Sequence, residues 1–213
     1  MNRLPVIVRQ HIAAFRTLLV FTVLCGLIYP FVMVGISQVA FHKQANGSMV
    51  SYNGRVVGSS LLCQEFTDAK GNPLPQYFQP RPSAAVNAAS KTDHGCNPLF
   101  SAATNLGPTN PTEVQLITQR QKQISAFDHV PTSQIPPDAV TASGSGLDPQ
   151  ISPAYAYLQV DRVAAARHLP VAEVRALVTR FIQGRTIGIL GEPRVNVLTL
   201  NIALDQLSAK SGS

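Results

Sequence analysis

The side chains able to carry chemistry are few and scattered. Cys63 and Cys96 lie 33 residues apart, and His94, His129 and His168 fall in loops or at a helix end. No CxxC pair or Cys/His spacing suited to a metal occurs, so neither a zinc site nor any other metal centre is expected. A Cys/His hydrolase built on Cys63 or Cys96 with a histidine such as His94 needs a thiolate beside an imidazole, and nothing local separates these cysteines from structural ones. If the domain faces an oxidising compartment, a Cys63–Cys96 disulfide becomes possible; two buried free thiols are the alternative. The stretch Thr141 to Pro149 is the one ligand-like motif. Backbone amides of Ser143, Gly144, Ser145 and Gly146, with Asp148 beside them, could cradle a phosphate. The stretch lacks the lysine of a Walker A loop and has no clear strand before it, so the competing reading is a tight loop that positions the helix start at Ser152-Pro153. No catalytic residue is assigned.

What positions these groups begins with a hydrophobic run. From Thr17 to Phe41 there is no Asp, Glu, Lys or Arg, and 25 residues of helix reach roughly 37 Å, more than a ~30 Å hydrocarbon core requires. A cleaved signal peptide has a much shorter apolar core, and a buried soluble helix would show a polar face. The run is therefore read as a transmembrane helix over 17–41, preceded by a basic flank over 1–16 and followed by a soluble domain over 42–213. Pro30 predicts a kink, and Tyr29-Pro30 a packed partner helix. The flank carries Arg3, Arg9 and Arg16 and no acid, whereas all eleven Asp and Glu lie beyond residue 60, which predicts a cytoplasmic N-terminus and a periplasmic domain. Of the net charge of +6, the flank accounts for half, and 14 basic against 11 acidic residues remain. That balance, with no Lys/Arg run, excludes a nucleic-acid binder.

The domain itself reads as α+β. Met49 to Gly58 holds two β-prone runs around Asn53-Gly54, a type I′ hairpin signal. A Gly/Pro/Asn/Ser-rich loop of about forty residues, Gly71 to Pro111, follows; it carries Tyr77, Phe78 and Arg81 in a stiff proline frame and is read as an interaction surface. Asn110-Pro111 with Glu113 opens a helix to about Phe127, Ser152-Pro153 one to about His168, and Pro170 a third that stops at Gly184. In the third, Val171, Val174, Leu177, Val178, Phe181 and Ile182 form a core stripe. Ile187 to Leu190 is a strand candidate, and Asn196 caps a last helix with Val197, Leu200, Leu204 and Leu207 on one face. Strands early and helices late, without βαβ alternation, give α+β.

These residues together resemble the KdpC subunit of the bacterial Kdp potassium-transporting P-type ATPase. The matching pieces include Tyr29-Pro30, Gln44 to Ser48, Gly58-Ser59, Gln64, Phe66, Tyr77-Phe78, Arg81 to Ala84 and Ser101 to Pro111. They continue through Val140 to Asp148, Ile151 to Pro153, Gln159, Arg162 to Ala164, Gly191, Pro193, Val195 to Val197, Leu200-Asn201 and Ala203 to Asp205. The resemblance implies a non-catalytic accessory subunit in the inner membrane. Its partners would be a channel-like potassium-translocating subunit, an ATP-hydrolysing subunit and a small single-helix subunit. It implies no tightly bound cofactor, and ATP only through a ternary complex in which the subunit raises the ATP affinity of the hydrolysing partner. Tyr29, Pro30, Tyr77, Phe78, Arg81 and Asn105 are the partner-contact candidates.

The charge-based topology strains against the ATP role, because a periplasmic domain lies where ATP is scarce. Covering the potassium entrance is the physically easier task. The sequence departs from the family pattern at Cys63, where a small residue such as Gly is usual, and at Cys96; their joint appearance favours the disulfide. A membrane-tethered extracytoplasmic binding or assembly module unrelated to a pump is the alternative reading.

Overall fold

The structure, a computed structural model, describes residues 5–90 and 92–211. Arg3, counted in the basic flank, lies outside them. The chain divides into two units, the first ending at Ser48 and the second starting at Met49.

The first unit is one long helix: α1 (Val6–Val23), a π-helical turn (Leu24–Ile28) and α2 (Tyr29–Ala40), then the single turn α3 (His42–Ala45). Its 35 continuous helical residues reach roughly 52 Å. The apolar part is long enough to cross a bilayer, the one such helix among the described residues, which suggests a single-pass membrane protein. The helix starts at Val6, not at Thr17 where the charge-free run begins. Nothing between Pro5 and Thr17 breaks it, and Arg9, Gln10, Ala13, Ala14 and Arg16 are good helix formers that extend it beyond the apolar stretch. Thr17 and Thr22 donate their hydroxyls to Ala13 O and Leu18 O one turn back, so neither is left unpaired in an apolar medium. Before Pro30 the helix widens, with Tyr29 N–H reaching Leu24 O five residues back. The register change falls where the proline ring and its missing N–H disturb the regular ladder.

The second unit opens with the antiparallel pair β1 (Met49–Tyr52) and β2 (Arg55–Ser59). Asn53 and Gly54 both have positive φ, 49° and 77°, as the expected type I′ turn requires. The described residues of 60–110 then form no helix or strand beyond an isolated bridge between Thr67 and Pro73. The helical part follows: α4 (Pro111–Asp128), the short α5 (Pro137–Val140), α6 (Pro153–Leu158), α7 (Val160–Arg167), α8 (Val171–Phe181) and α9 (Val197–Ser211). The strands β3 (Gln150–Ile151), β4 (Ile182–Gln183) and β5 (Arg194–Asn196) make an antiparallel sheet ordered β3-β5-β4.

The helix starts form where the caps place them. Asn110 accepts from Thr112 N–H and Ser152 from Tyr155 N–H, and Asn196 Oδ1 accepts from Thr199 N–H. The expected helix from Ser152 to His168 is two helices joined at Gln159 (φ −81°, ψ −10°), whose carboxamide is engaged elsewhere. The third helix stops at Phe181 rather than Gly184, because Ile182 and Gln183 pair with β5. Val171, placed on its core stripe, is exposed at the first turn, while Val174, Leu177 and Val178 are buried.

The strand expected at Ile187 to Leu190 is instead the tip of the β4–β5 connection. Ile187 and Gly188 have positive φ (56° and 79°), a turn conformation no strand contains, and Ile187 and Ile189 are 84% and 75% exposed. The core gathers Phe78, Val160, Val163, Val174, Leu177, Val178, Val195, Leu200 and Leu204.

Asn196 joins three parts: β5, the first turn of α9, and the irregular segment through its amide donated to Ser60 O at 2.8 Å. Asn196→Ala removes a cap and that tie together, and chemical unfolding of the full chain should show a loss of about 1–2 kcal/mol.

Candidate functional site

The irregular segment supplies few backbone partners of its own, so side chains of the helices supply them. Arg162, on α7 and 8% exposed, is the centre. Its Nε donates to Asp128 Oδ1 at 2.7 Å, one terminal nitrogen to the carbonyls of Pro75 and Tyr77 at 2.6 and 3.0 Å, and the other to Gln159 Oε1 at 2.7 Å. Its guanidinium also lies over the Phe127 ring, 4.3 Å from the centroid.

Gln159 continues the pattern, accepting from Gln79 N–H at 2.7 Å and donating to Gln79 O at 3.2 Å. Asn201 from α9 does the same for Phe78, at 2.9 Å in both directions. Arg167 donates to Gln76 O and pairs with Asp205 at 2.6 Å. Residues 75–79 are thus a strap whose backbone is read by four side chains, three from α7 and α9 and one from the α6–α7 junction, as a neighbouring strand would read it.

The sequence-level candidates fall into this frame unequally. Phe78 is fully buried in the core, so it is not part of an exposed contact surface. Tyr77 is half-buried, with its ring 5.0 Å from Phe66 and under the Arg167 guanidinium. Arg81 pairs with Asp148 at 3.0 Å and donates to Thr141 O, so these two candidates meet each other. Asn105 is exposed at φ 54°, and Tyr29 is 64% exposed on its own helix. Pro30 is exposed beside it. The irregular stretch is longer than the forty residues expected, and much of it is laid against its own domain.

The Ser143 to Asp148 loop is the second anchor. Cys63 N–H donates to Leu147 O, Ala102 N–H to Ser145 O, and the Ser83 hydroxyl to Gly146 O. Of its amides, Gly146 N–H is taken by Ser143 O and Leu147 N–H by Ser145 Oγ. Gly146 has φ 69°, and a Cβ there would lie 2.6 Å from Ala102 O, so only glycine lets these strands of chain meet. Gly144 and Ser145 are exposed and Ser143 buried. The loop works as a joint between segments.

Cys63 and Cys96 are joined by a disulfide with Cα atoms 5.4 Å apart. It lies beside Ser83, whose Oγ also accepts from Cys96 N–H. His129 and His168 terminate α4 and α7 in left-handed conformation, and His94 is exposed; no group of three or more metal-ligating side chains occurs among the described residues.

Sequence reasoning missed the roles of Glu65, Arg120, Asp128, Arg162 and Arg167. A charged residue on an otherwise apolar helix face, such as Arg162 beside Val163 and Ala164, was the available signal. Burial pushes the Asp128 carboxyl up from its ordinary range, against the pull of Arg162. Burial also raises the Glu65 carboxyl, with His94 opposing and Asp93 adding to it.

Comparison with known proteins decides the family. A family profile described as "KdpC: K+-transporting ATPase, c chain" matches residues 11–206. The chain belongs to the KdpC family. A relative from Beijerinckia indica is 47% identical over 197 residues, covering 92% of this chain and 93% of its own length. One from Sorangium cellulosum is 50% identical over 194 residues, covering 90% and 95%. One from Gemmatimonas aurantiaca is 50% identical over 188 residues, covering 88% of each. All three are named potassium-transporting ATPase KdpC subunit.

Three variants test this site. Arg162→Ala leaves Asp128 buried and unpaired, Pro75 O without a donor and Tyr77 O with only the long 3.4 Å bond from Gln79 Nε2, and should destabilise the full chain by about 3–5 kcal/mol in denaturant unfolding. The paired replacement Arg162→Met with Asp128→Leu should recover only part of this, since Pro75 O still lacks a donor. Glu65→Gln should raise the unfolding midpoint at pH 7. A carboxyl raised by burial favours its protonated form, so native Glu65 is best accommodated below its ordinary value of 4.5 and is penalised as pH rises through the folded value. The advantage of Gln should therefore vanish in acid.

Proposed function

We propose that this chain is the non-catalytic accessory subunit of an ATP-driven potassium uptake complex. The observation that carries the reading is the family match over nearly the whole chain, joined to a domain whose polar centre is built from side chains that hold its own backbone. Arg162, Gln159 and Asn201 are committed to the strap, and the ATP-hydrolysing chemistry belongs to a partner subunit.

In this reading the long apolar helix is a docking element in the inner membrane. The π turn before Tyr29-Pro30 gives it a side face that departs from a regular helix, suited to packing against helices of a channel-like subunit and a small single-helix subunit. The basic flank argues for a cytoplasmic N-terminus and a periplasmic domain. The Cys63–Cys96 disulfide supports that side, since such bonds persist in oxidising compartments. ATP enters this account only through the hydrolysing partner: two amides of the Ser143 to Asp148 loop are taken by its own oxygens, which leaves a poor phosphate cradle. The role we assign is assembly and shaping of the outer face of the complex, with a chaperone-like effect on ATP affinity transmitted through the partners.

A C-terminal tag should be cut by protease in spheroplasts and protected in inverted vesicles; the reverse pattern contradicts the topology. Pro30→Leu, expressed with the other subunits, should lower recovery of the complex several-fold while the disulfide-linked domain remains intact. Undiminished recovery contradicts the docking role.

A further inference from the structure

A cleft of about 270 Å³ opens between α4 and the segment that follows the strap. It lies just below the ~300–1,000 Å³ typical of drug-sized ligand sites, a size suited to a small polar molecule. Ile124, Phe127, Ala139 and Tyr155 give it an apolar floor, and its charged lining groups are Glu65, Arg81, Arg120 and Asp128.

Two of these four are already engaged in pairs, Arg81 with Asp148 and Asp128 with Arg162. The other two are not. Arg120 donates one terminal nitrogen to Val140 O and makes no ion pair among the described residues, although its guanidinium is partly desolvated and senses Glu113. Glu65 accepts no hydrogen bond among the described residues; its carboxyl is likewise half-withdrawn from water, with His94 the one group that pulls on it favourably. Burying such groups without partners is unfavourable, and most native buried polar atoms are satisfied by protein, water or ligand.

The leftover chemistry is thus of both signs in one cleft: a carboxylate that accepts no hydrogen bond, and a guanidinium with one carbonyl acceptor and no carboxylate partner. A simple anion would satisfy Arg120 but face Glu65; a simple cation would do the reverse. We propose that this cleft binds a small zwitterion of the α-amino-acid type. Its ammonium lies against Glu65, its carboxylate against Arg120, and its aliphatic portion on Ile124, Phe127 and Ala139. The site is independent of the pump assignment, since it uses none of the membrane helix and neither the disulfide nor the strap's backbone bonds.

Saturation-transfer NMR of the full chain in lipid nanodiscs, with L-valine, glycine, acetate and methylammonium as separate probes, tests this. L-Valine should show saturation that is saturable and competed by glycine, while acetate and methylammonium, each half of the ligand, show little. Glu65→Gln, which preserves shape, and Arg120→Met should each weaken L-valine binding by about tenfold or more. Three results would overturn the proposal: no saturation for either amino acid, acetate binding as well as L-valine, or L-valine binding unchanged in Glu65→Gln. Because Glu65→Gln should remain folded, a failure of Arg120→Met to fold would not rescue the idea.

Discussion

The second unit depends on one buried guanidinium. Arg162 meets four acceptors, one carboxylate, two backbone carbonyls and one carboxamide, from a position almost closed to solvent. A buried ion pair alone is weak ground for stability, because desolvating both charges offsets their attraction. Here the charge is used differently. The described residues of 60–110 have no helix or strand to satisfy their backbone, and buried carbonyls and amides there need partners from other parts of the chain. Arg162, Gln159, Asn201 and Arg167 are that partner set. Once residues 75–79 are fixed, Phe78 is held in the core, and the rest of the segment is led toward the Ser143 to Asp148 joint. There Cys63, Ser83 and Ala102 are tied to three successive carbonyls.

This arrangement explains why a chain so rich in glycine and proline past residue 70 still builds a specific domain. Irregular chain is normally mobile because its contacts are few and solvated. Here the disulfide, the strap and the loop joint hold it at three places. Polar side chains of α7 and α9 are turned onto the protein's own backbone.

Local signals in the sequence were read well where one residue decides the conformation. Asn53-Gly54 gave the hairpin turn, and Asn110, Ser152 and Asn196 gave the helix starts, because each acts on amides only two or three residues away. The signals failed where distant contacts decide. Tyr77-Phe78 looks like an exposed aromatic pair in a loop, and only Asn201, more than a hundred residues on, turns Phe78 inward. Ile187 to Leu190 has strand-like composition, but Gly188 and Gly191 bend it into a turn whose apolar side chains face solvent. The helix start at Val6 was hidden because charge marks where a bilayer ends, not where a helix ends. The mixed-charge cleft was also out of reach, since Glu65, Arg120 and Asp128 are each unremarkable in their own stretch of sequence.

The central claim is that residues 75–79 belong to the cooperative core rather than to a loop. Amide hydrogen exchange of the full chain tests it most directly. Phe78 and Gln79 N–H groups, bonded to Asn201 and Gln159, should exchange only on global unfolding, with the same free energy as Val178 in the middle of α8. Exchange of those two amides while α8 stays protected would contradict the account.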